Sequence, residues 1–172
     1  MAQIESTDIK VFLSGGGSND NPNLSLGGAI STTELVDSSL HNLFAKVGAA
    51  EALAGSVKYR GIYVKNTHAS LTWETVLAYI SSQTTSPDTS LKIALAGEGA
   101  SASMETIVNE DTAPVGESFV TADGVGNGLS MGDLAPAGYY GLWIQRTVTA
   151  GATAFGSDTC QISTRGESTS SI

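Results

Sequence analysis

The sequence predicts an all-β protein, an antiparallel β-sandwich with at most one short helix near residues 40–54. Three observations predict it. Apolar and polar residues alternate along Tyr59–Asn66, Leu91–Ala96 and Tyr139–Val148, which is the period of a strand. Clusters of Gly, Pro, Asn and Asp separate the runs at short intervals, and these are turn formers. No strand–helix–strand rhythm runs through the chain, so a parallel sheet is not expected.

Residues 1–8 are polar and read as a flexible N-terminal arm. Ile9-Lys10-Val11-Phe12-Leu13 reads as the first strand. Gly15 to Asn23 is a string of turn formers, either a mobile loop or a turn packed against a neighbour. Ser31-x-x-Glu34 has the spacing of a capping box. The β-branched run Ile30-Ser31-Thr32-Thr33 argues for extended chain instead. Leu40, Leu43, Phe44 and Val47 stand at helical spacing and an Ala-rich stretch follows, with Gly48 interrupting. Thr67-His68-Ala69-Ser70 joins Tyr59–Asn66 to Leu71–Ser81, and a link of this length suits a hairpin. Leu71–Ser81 has apolar groups on both faces, as a strand between two packed layers would.

Residues 84–90 turn the chain, and Leu91, Ile93 and Leu95 then point inward. A loop at 97–103, a short strand over Met104–Val108 and an acidic turn at 109–116 follow. Residues 123–132 are the richest in glycine and are expected to hold no regular element. Asp133–Gly138 is a sharp turn into Tyr139–Val148, where Leu142, Ile144 and Val148 share a face and Trp143 points the other way. Asp158–Arg165 is the last strand and residues 166–172 are a polar C-terminal tail. Roughly seven or eight strands spaced this way favour an immunoglobulin-like or jelly-roll-like sandwich. One domain is expected, over residues 9–165.

The 172 residues are 41% hydrophobic and only 15% charged, with a formal net charge of -9. The eight basic residues run from Lys10 to Arg165 without a cluster. The footprint that displaces counterions from phosphates is missing, so no nucleic-acid partner is expected. An anionic membrane is disfavoured for the same reason, and no apolar run approaches the about 20 residues of a span. Met1-Ala2-Gln3-Ile4-Glu5 lacks the features of a secretory leader, so first folding in a cytoplasm is expected. Cys160 is the single cysteine. It can form neither an intramolecular disulfide nor a cysteine-built zinc site, and it reads as a small buried hydrophobe.

Several motifs invite a chemical reading. Gly128-Leu129-Ser130-Met131-Gly132 matches G-x-S-x-G, but a nucleophile elbow needs a strand before it and a helix after it. Asp123-Gly124-Val125-Gly126-Asn127 precedes it and Pro136 follows too closely for a helix. His41 and His68 are the only histidine bases available, and each reads more simply as a solvated polar residue. Two histidines without a cysteine pair make no transition-metal constellation. Asn19-x-Asn21-x-Asn23 echoes half of a calcium loop, but Leu24 and Ile30 stand where the glycine and the bidentate acid belong. Glu110-Asp111 and Asp133 could hold a hard cation only if their loops converge. Gly124-x-Gly126-x-Gly128 lacks the frame of a dinucleotide fingerprint. Asn23-Leu24-Ser25 is a glycosylation sequon without a secretory route. Trp73 and Trp143 suit a sugar-stacking platform or, more simply, core or interface anchors. No catalytic, cofactor-binding or metal residue is assigned, and no cofactor is expected.

Tyr59-Arg60-Gly61-Ile62-Tyr63-Val64-Lys65-Asn66-Thr67-His68-Ala69-Ser70-Leu71-Thr72 resembles a stretch of small structural proteins of tailed bacteriophages. So does Gly132-Asp133-Leu134-Ala135-Pro136-Ala137-Gly138 leading into Leu142-Trp143-Ile144-Gln145-Arg146-Thr147-Val148. Leu13-Ser14-Gly15-Gly16 and Leu26-Gly27-Gly28-Ala29-Ile30-Ser31 resemble the same group, so the likeness spans most of the chain. The resemblance implies a non-enzymatic virion protein, assembled in the bacterial cytoplasm. A capsid decoration (cement) protein that bridges capsomers is the leading expectation. Its partners would be the major capsid protein or other virion proteins, and further copies of itself. A tail, neck or baseplate component is the alternative, and a carbohydrate-binding or receptor-recognition module the second alternative.

Overall fold

In the computed structural model, which describes residues 3–168, the alternating runs become strands. They are β1 (Ile9–Ser14), β2 (Gly27–Gly28), β3 (Ile30–Glu34), β4 (Ser56–Asn66), β5 (Trp73–Ser82), β6 (Thr89–Leu95), β7 (Met104–Thr106), β8 (Leu129–Leu134), β9 (Tyr139–Val148) and β10 (Gln161–Ser168). A five-stranded sheet has the order β3-β1-β4-β9-β6, a three-stranded sheet the order β10-β5-β8, and β2 and β7 form a two-stranded ribbon. All the strand pairs are antiparallel. The two larger sheets pack face to face, so the protein is an all-β sandwich.

The frame is the β4–β9 pair, in unbroken register from Ser56↔Val148 to Lys65↔Tyr139. Ile62 and Val64 of β4, Leu142 and Ile144 of β9, and Leu91 and Ile93 of β6 pack on Trp73, Val76, Ala78 and Ile80 of β5 and on Met131 and Leu134 of β8. Each of the Val, Leu, Ile and Met side chains among them, moved fully out of water, stabilises the fold by about 1.5–3 kcal/mol. The opposite face of the large sheet is also covered. Tyr59, Tyr63, Ala94 and Trp143 form a second core with Met104 and Ile107, under the β2–β7 ribbon. Burial on both faces explains why β4 is buried without a break from Tyr59 to Val64.

Two glycines make room for the ribbon. A Cβ on Gly141 would lie 2.6 Å from Met104 Cγ, and one on Gly61 would lie 3.0 Å from Met104 Cε. Met104 therefore sits in a notch cut by missing side chains, and is 3% exposed. The Tyr63 hydroxyl fastens the ribbon. It accepts from the Met104 N–H at 2.7 Å and donates to the Gly28 carbonyl at 2.5 Å.

Several expectations need correction. Thr67–Ser70 is not a hairpin: β4 pairs with β1 and β9, whereas β5 lies in the other sheet. The link crosses between layers and is held by Asn66, which is 0% exposed. Its amide donates to the Leu71 and Leu134 carbonyls, both at 2.9 Å, and its carbonyl accepts from the His68 N–H at 3.0 Å. β5 is not equally buried on its two faces. Thr75, at φ 50°, makes a bulge that lets Trp73 and Val76 both face the core, while Leu77 and Tyr79 stay half-buried outside. Residues 123–132 do hold regular structure, since β8 begins at Leu129. The glycines are tolerated because β8 is an edge strand, with Gly132 at φ 70° within the irregular pairing. The helix is confined to α1 (Ala49–Ala54), and Leu40 is left exposed rather than lying on a helix face.

Residues 6–8 form a short 3-10 turn, and Ile4 packs on the main core. β10 runs on to Ser168, past the expected start of the tail. Met1, Ala2 and residues 169–172, the rest of the expected arm and tail, lie outside the described residues.

Candidate functional site

The structure disperses the residues that the motifs singled out. Ser130 is exposed on the outer face of β8, opposite Leu77, so it stands on a strand and not on an elbow. His68 accepts hydrogen bonds through Nδ1 from the N–H groups of Ser70 and Leu71, at 3.1 and 2.9 Å, which makes it part of the layer crossing. His41 is exposed in the loop before α1. Asp133 accepts from the Thr75 N–H at 2.9 Å and braces the β5 bulge. It does not meet Glu110, which is tied to Lys58 and Arg60. Among the described residues no group of three or more His, Cys, Asp or Glu is placed to hold a metal ion.

The asparagines form a ladder that binds their own loop. Asn19 donates to the Ser14 carbonyl at 2.6 Å and accepts from the Asn21 N–H at 3.0 Å. Asn21 accepts from the Asn23 N–H at 3.0 Å, and Asn23 from Arg60 at 3.2 Å. Gly124 and Gly128 flank a 3-10 turn over Val125–Asn127, with Gly126 at its centre, beside β5. In the sequon, Leu24 is 58% exposed and Ser25 is buried. Trp73 and Trp143 are 5% and 0% exposed, so both are core residues and neither can stack on a sugar.

Cys160 is not the buried hydrophobe expected. It is exposed, just before β10, and on one side it lines an apolar groove of about 480 Å³ between β10 and β1. Ile9, Val11, Leu35 and Ile162 also line that groove. Desolvation there, with Asp158 adding to it, pushes the thiol up to about 11, so it is a poor nucleophile at neutral pH.

The most organised polar cluster came from no motif. Lys58 and Arg60 of β4 and Arg146 of β9 occupy positions of the same parity as Ile62, Val64 and Ile144, so they project toward the inter-sheet side at one end of the sandwich. Lys58 Nζ lies 2.8 Å from Glu110 and 3.4 Å from Glu51. Arg146 lies 2.9 Å from Glu51 and donates to the Ala45 carbonyl at 2.9 Å. Arg60, only 1% exposed, pairs with Glu110. Both guanidinium groups face the Phe44 ring, with Cζ 4.8 Å from its centroid for Arg146 and 5.4 Å for Arg60. Ser56 donates to Glu51 at 2.6 Å.

Burial alone would raise the Glu51 and Glu110 carboxyls. The Ser56 hydroxyl, Arg146 and Lys58 outweigh it at Glu51, and Lys58 and Arg60 at Glu110, so both titrate below the ordinary value. Every charge in the cluster has a protein partner, and no nucleophile or free base stands among them. The arrangement is a clamp: it ties the loop at 22–24, the loop before α1, α1 itself and the loop around 110 to the ends of β4 and β9. Sequence reasoning missed it, although one signal was present. Arg60 and Arg146 are charged residues at strand positions two places from the core residues Ile62 and Ile144, and Lys58 continues the same face of β4.

No protein-family model, no curated protein and no solved structure matches the chain.

Proposed function

We propose that this chain is a non-enzymatic structural protein of a tailed-phage virion, a capsid decoration protein that bridges neighbouring capsomers and contacts further copies of itself. The observation that carries the reading is where the phage-like segments fall. They supply most of β4 and β9, the central pair of the large sheet, together with the crossing after β4 and the turn before β9. The likeness therefore covers the framework and not a patch of loops. The polar motifs support the same reading, because the side chains of Asp133, His68 and the asparagines bond to their own chain. A body with two cores, held by side-chain clamps between layers, suits a part that must bear load without deforming. Its acidity keeps many copies apart before assembly.

The copy number of the chain in purified particles, measured by quantitative mass spectrometry, tests this. Hundreds of copies per particle are expected of a decoration protein. A count of a few to some tens would reassign the chain to the tail, neck or baseplate, and its absence from the particle would overturn the virion reading altogether.

A further inference from the structure

The five-stranded sheet is wider than the three-stranded sheet packed on it, and β10 is the outer strand of the narrower one on the β1 side. The mismatch leaves the groove of about 480 Å³ that Cys160 lines. Its floor includes Ile9, Val11, Ile62 and Ile144 of the large sheet. One wall is β10, through Ile162 and Thr164, and the other is the chain that follows β3, through Leu35, Val36 and Leu43. β10 is 8 residues long and pairs with β5 along one edge. Among the described residues, no main-chain hydrogen bond reaches its other edge. The edges of the large sheet are partly satisfied. Val120 exchanges two hydrogen bonds with Ile93 of β6, at 2.9 and 3.0 Å, and the Thr32 N–H of β3 donates to the Gly17 carbonyl at 3.4 Å. β10 therefore presents a long free edge beside an apolar trough, the combination used by proteins that accept a strand from a partner.

We infer that the groove takes an extended segment of a different protein, which adds as a strand to the free edge of β10 and turns aliphatic side chains, at every second position, onto the floor; that the segment belongs to another virion protein rests on the virion reading. Hydrogen bonding selects the occupant. An acyl chain or another apolar small molecule would match the floor, but it would take the β10 edge out of water and leave its N–H and C=O groups unpaired. A strand fills the trough and pairs the edge at once. Charge selects what flanks the aliphatic positions. Glu34 at the mouth is already paired with Lys10 at 3.0 Å. Asp37, exposed beside Val36, makes no ion pair among the described residues. The segment therefore carries Lys or Arg where it passes Asp37. The edge of a second folded copy does not fit. Its β1 and β3 would reach beyond its β10 in the facing layer, as they do here, so joining β10 to β10 would drive the two large sheets into the same space.

The test compares the free protein with the same chain in purified particles. Hydrogen exchange reads the β10 amides that do not bond to β5, and alkylation by iodoacetamide reads Cys160 on the groove wall. Both should be at least tenfold slower in the particle. Photo-cross-linking from Val36→p-benzoylphenylalanine, at the groove mouth, then identifies the segment by mass spectrometry. It should be a stretch of another virion protein with aliphatic residues at alternate positions and a Lys or Arg nearby. Asp37→Lys alters an exposed residue, so thermal unfolding should match wild type while incorporation into particles falls at least threefold; unchanged incorporation would overturn the charge assignment. Exchange and alkylation as fast in the particle as in the free protein would overturn the inference and leave the virion reading standing. Cross-links to a second copy of this chain, or protection without a cross-linked protein segment, would overturn the assignment of the occupant. Absence of the chain from the particles would overturn the virion reading, and this inference with it.

Discussion

Cys160 shows how much one neighbourhood alters one side chain. The residue is open to water, yet its thiol is pushed up to about 11 by the groove it lines. At pH 8 only about one such thiol in a thousand is ionised, against a substantial fraction for an ordinary cysteine. Alkylation by iodoacetamide at pH 8 should therefore be at least about tenfold slower in the folded protein than in the unfolded chain, even after allowing for the greater nucleophilicity of the more basic thiolate. The folded rate should still climb with pH above 9, where the unfolded rate levels off. Equal rates in the two states would show that the groove does not desolvate the sulfur. Ser130 teaches the reverse lesson: a residue made conspicuous by its motif stands on a strand face with no base among its hydrogen-bond partners.

Elements are fitted together by absence as much as by contact. The β2–β7 ribbon lies close to the large sheet because Gly61 and Gly141 leave a notch for Met104. Gly141→Ala would set a methyl group 2.6 Å from Met104 Cγ, and should cost about 1–3 kcal/mol as the methionine is forced off its rotamer. Met104→Ala should cost about 2–4 kcal/mol through the cavity it leaves. Combined, the two substitutions should cost less than their sum by more than about 0.5 kcal/mol, because the added methyl partly fills the space vacated. Urea unfolding of the four proteins measures this coupling, and strict additivity would show that the notch does not govern how the ribbon seats. The register shift at Thr75 is of the same kind: one residue at positive φ lets Trp73 and Val76 share the core face, and Asp133 from β8 supports it.

Across the whole molecule, the ion-pair cluster joins four otherwise separate segments to the sheet, and its response to pH follows from the direction of its titrations. Glu51 and Glu110 titrate below the ordinary 4.5 when folded. The unfolded chain therefore binds more protons around and below that pH, and stability falls as the pH drops through the folded values. Lys58 is raised above 10.5, so its contribution is complete below that pH and is lost as the pH rises through its folded value. Urea midpoints should be nearly flat between about pH 5 and 9 in so far as this cluster sets them. Glu110→Gln should lose about 2–3 kcal/mol at pH 7, less than for a wholly buried pair because Glu110 keeps some contact with water. It should also show a shallower loss in acid. An acid limb as steep as that of wild type would place the pH response elsewhere.

What the sequence determined by itself is the part of the structure that depends on near neighbours along the chain. Alternation placed β1, β4, β6 and β9, turn chemistry placed most of the breaks, and the β-branched run Ile30–Thr33 became β3. Side-chain parity is local, so Ile62, Leu142 and Trp143 could be assigned to faces without a fold. The tertiary structure decided what depends on distant partners. A four-residue link can close a hairpin or cross between layers, and the crossing here is stabilised by Asn66 bonding to Leu134, far along the chain. A glycine-rich stretch can serve as an edge strand only where another strand pairs with it, as β5 pairs with β8. The clamp was legible only as charged residues at inward positions, because Glu51 and Glu110 are brought to Lys58, Arg60 and Arg146 by loops whose paths no local pattern encodes. Charges buried in a sandwich need partners, and the partners are chosen by the way the sheets close.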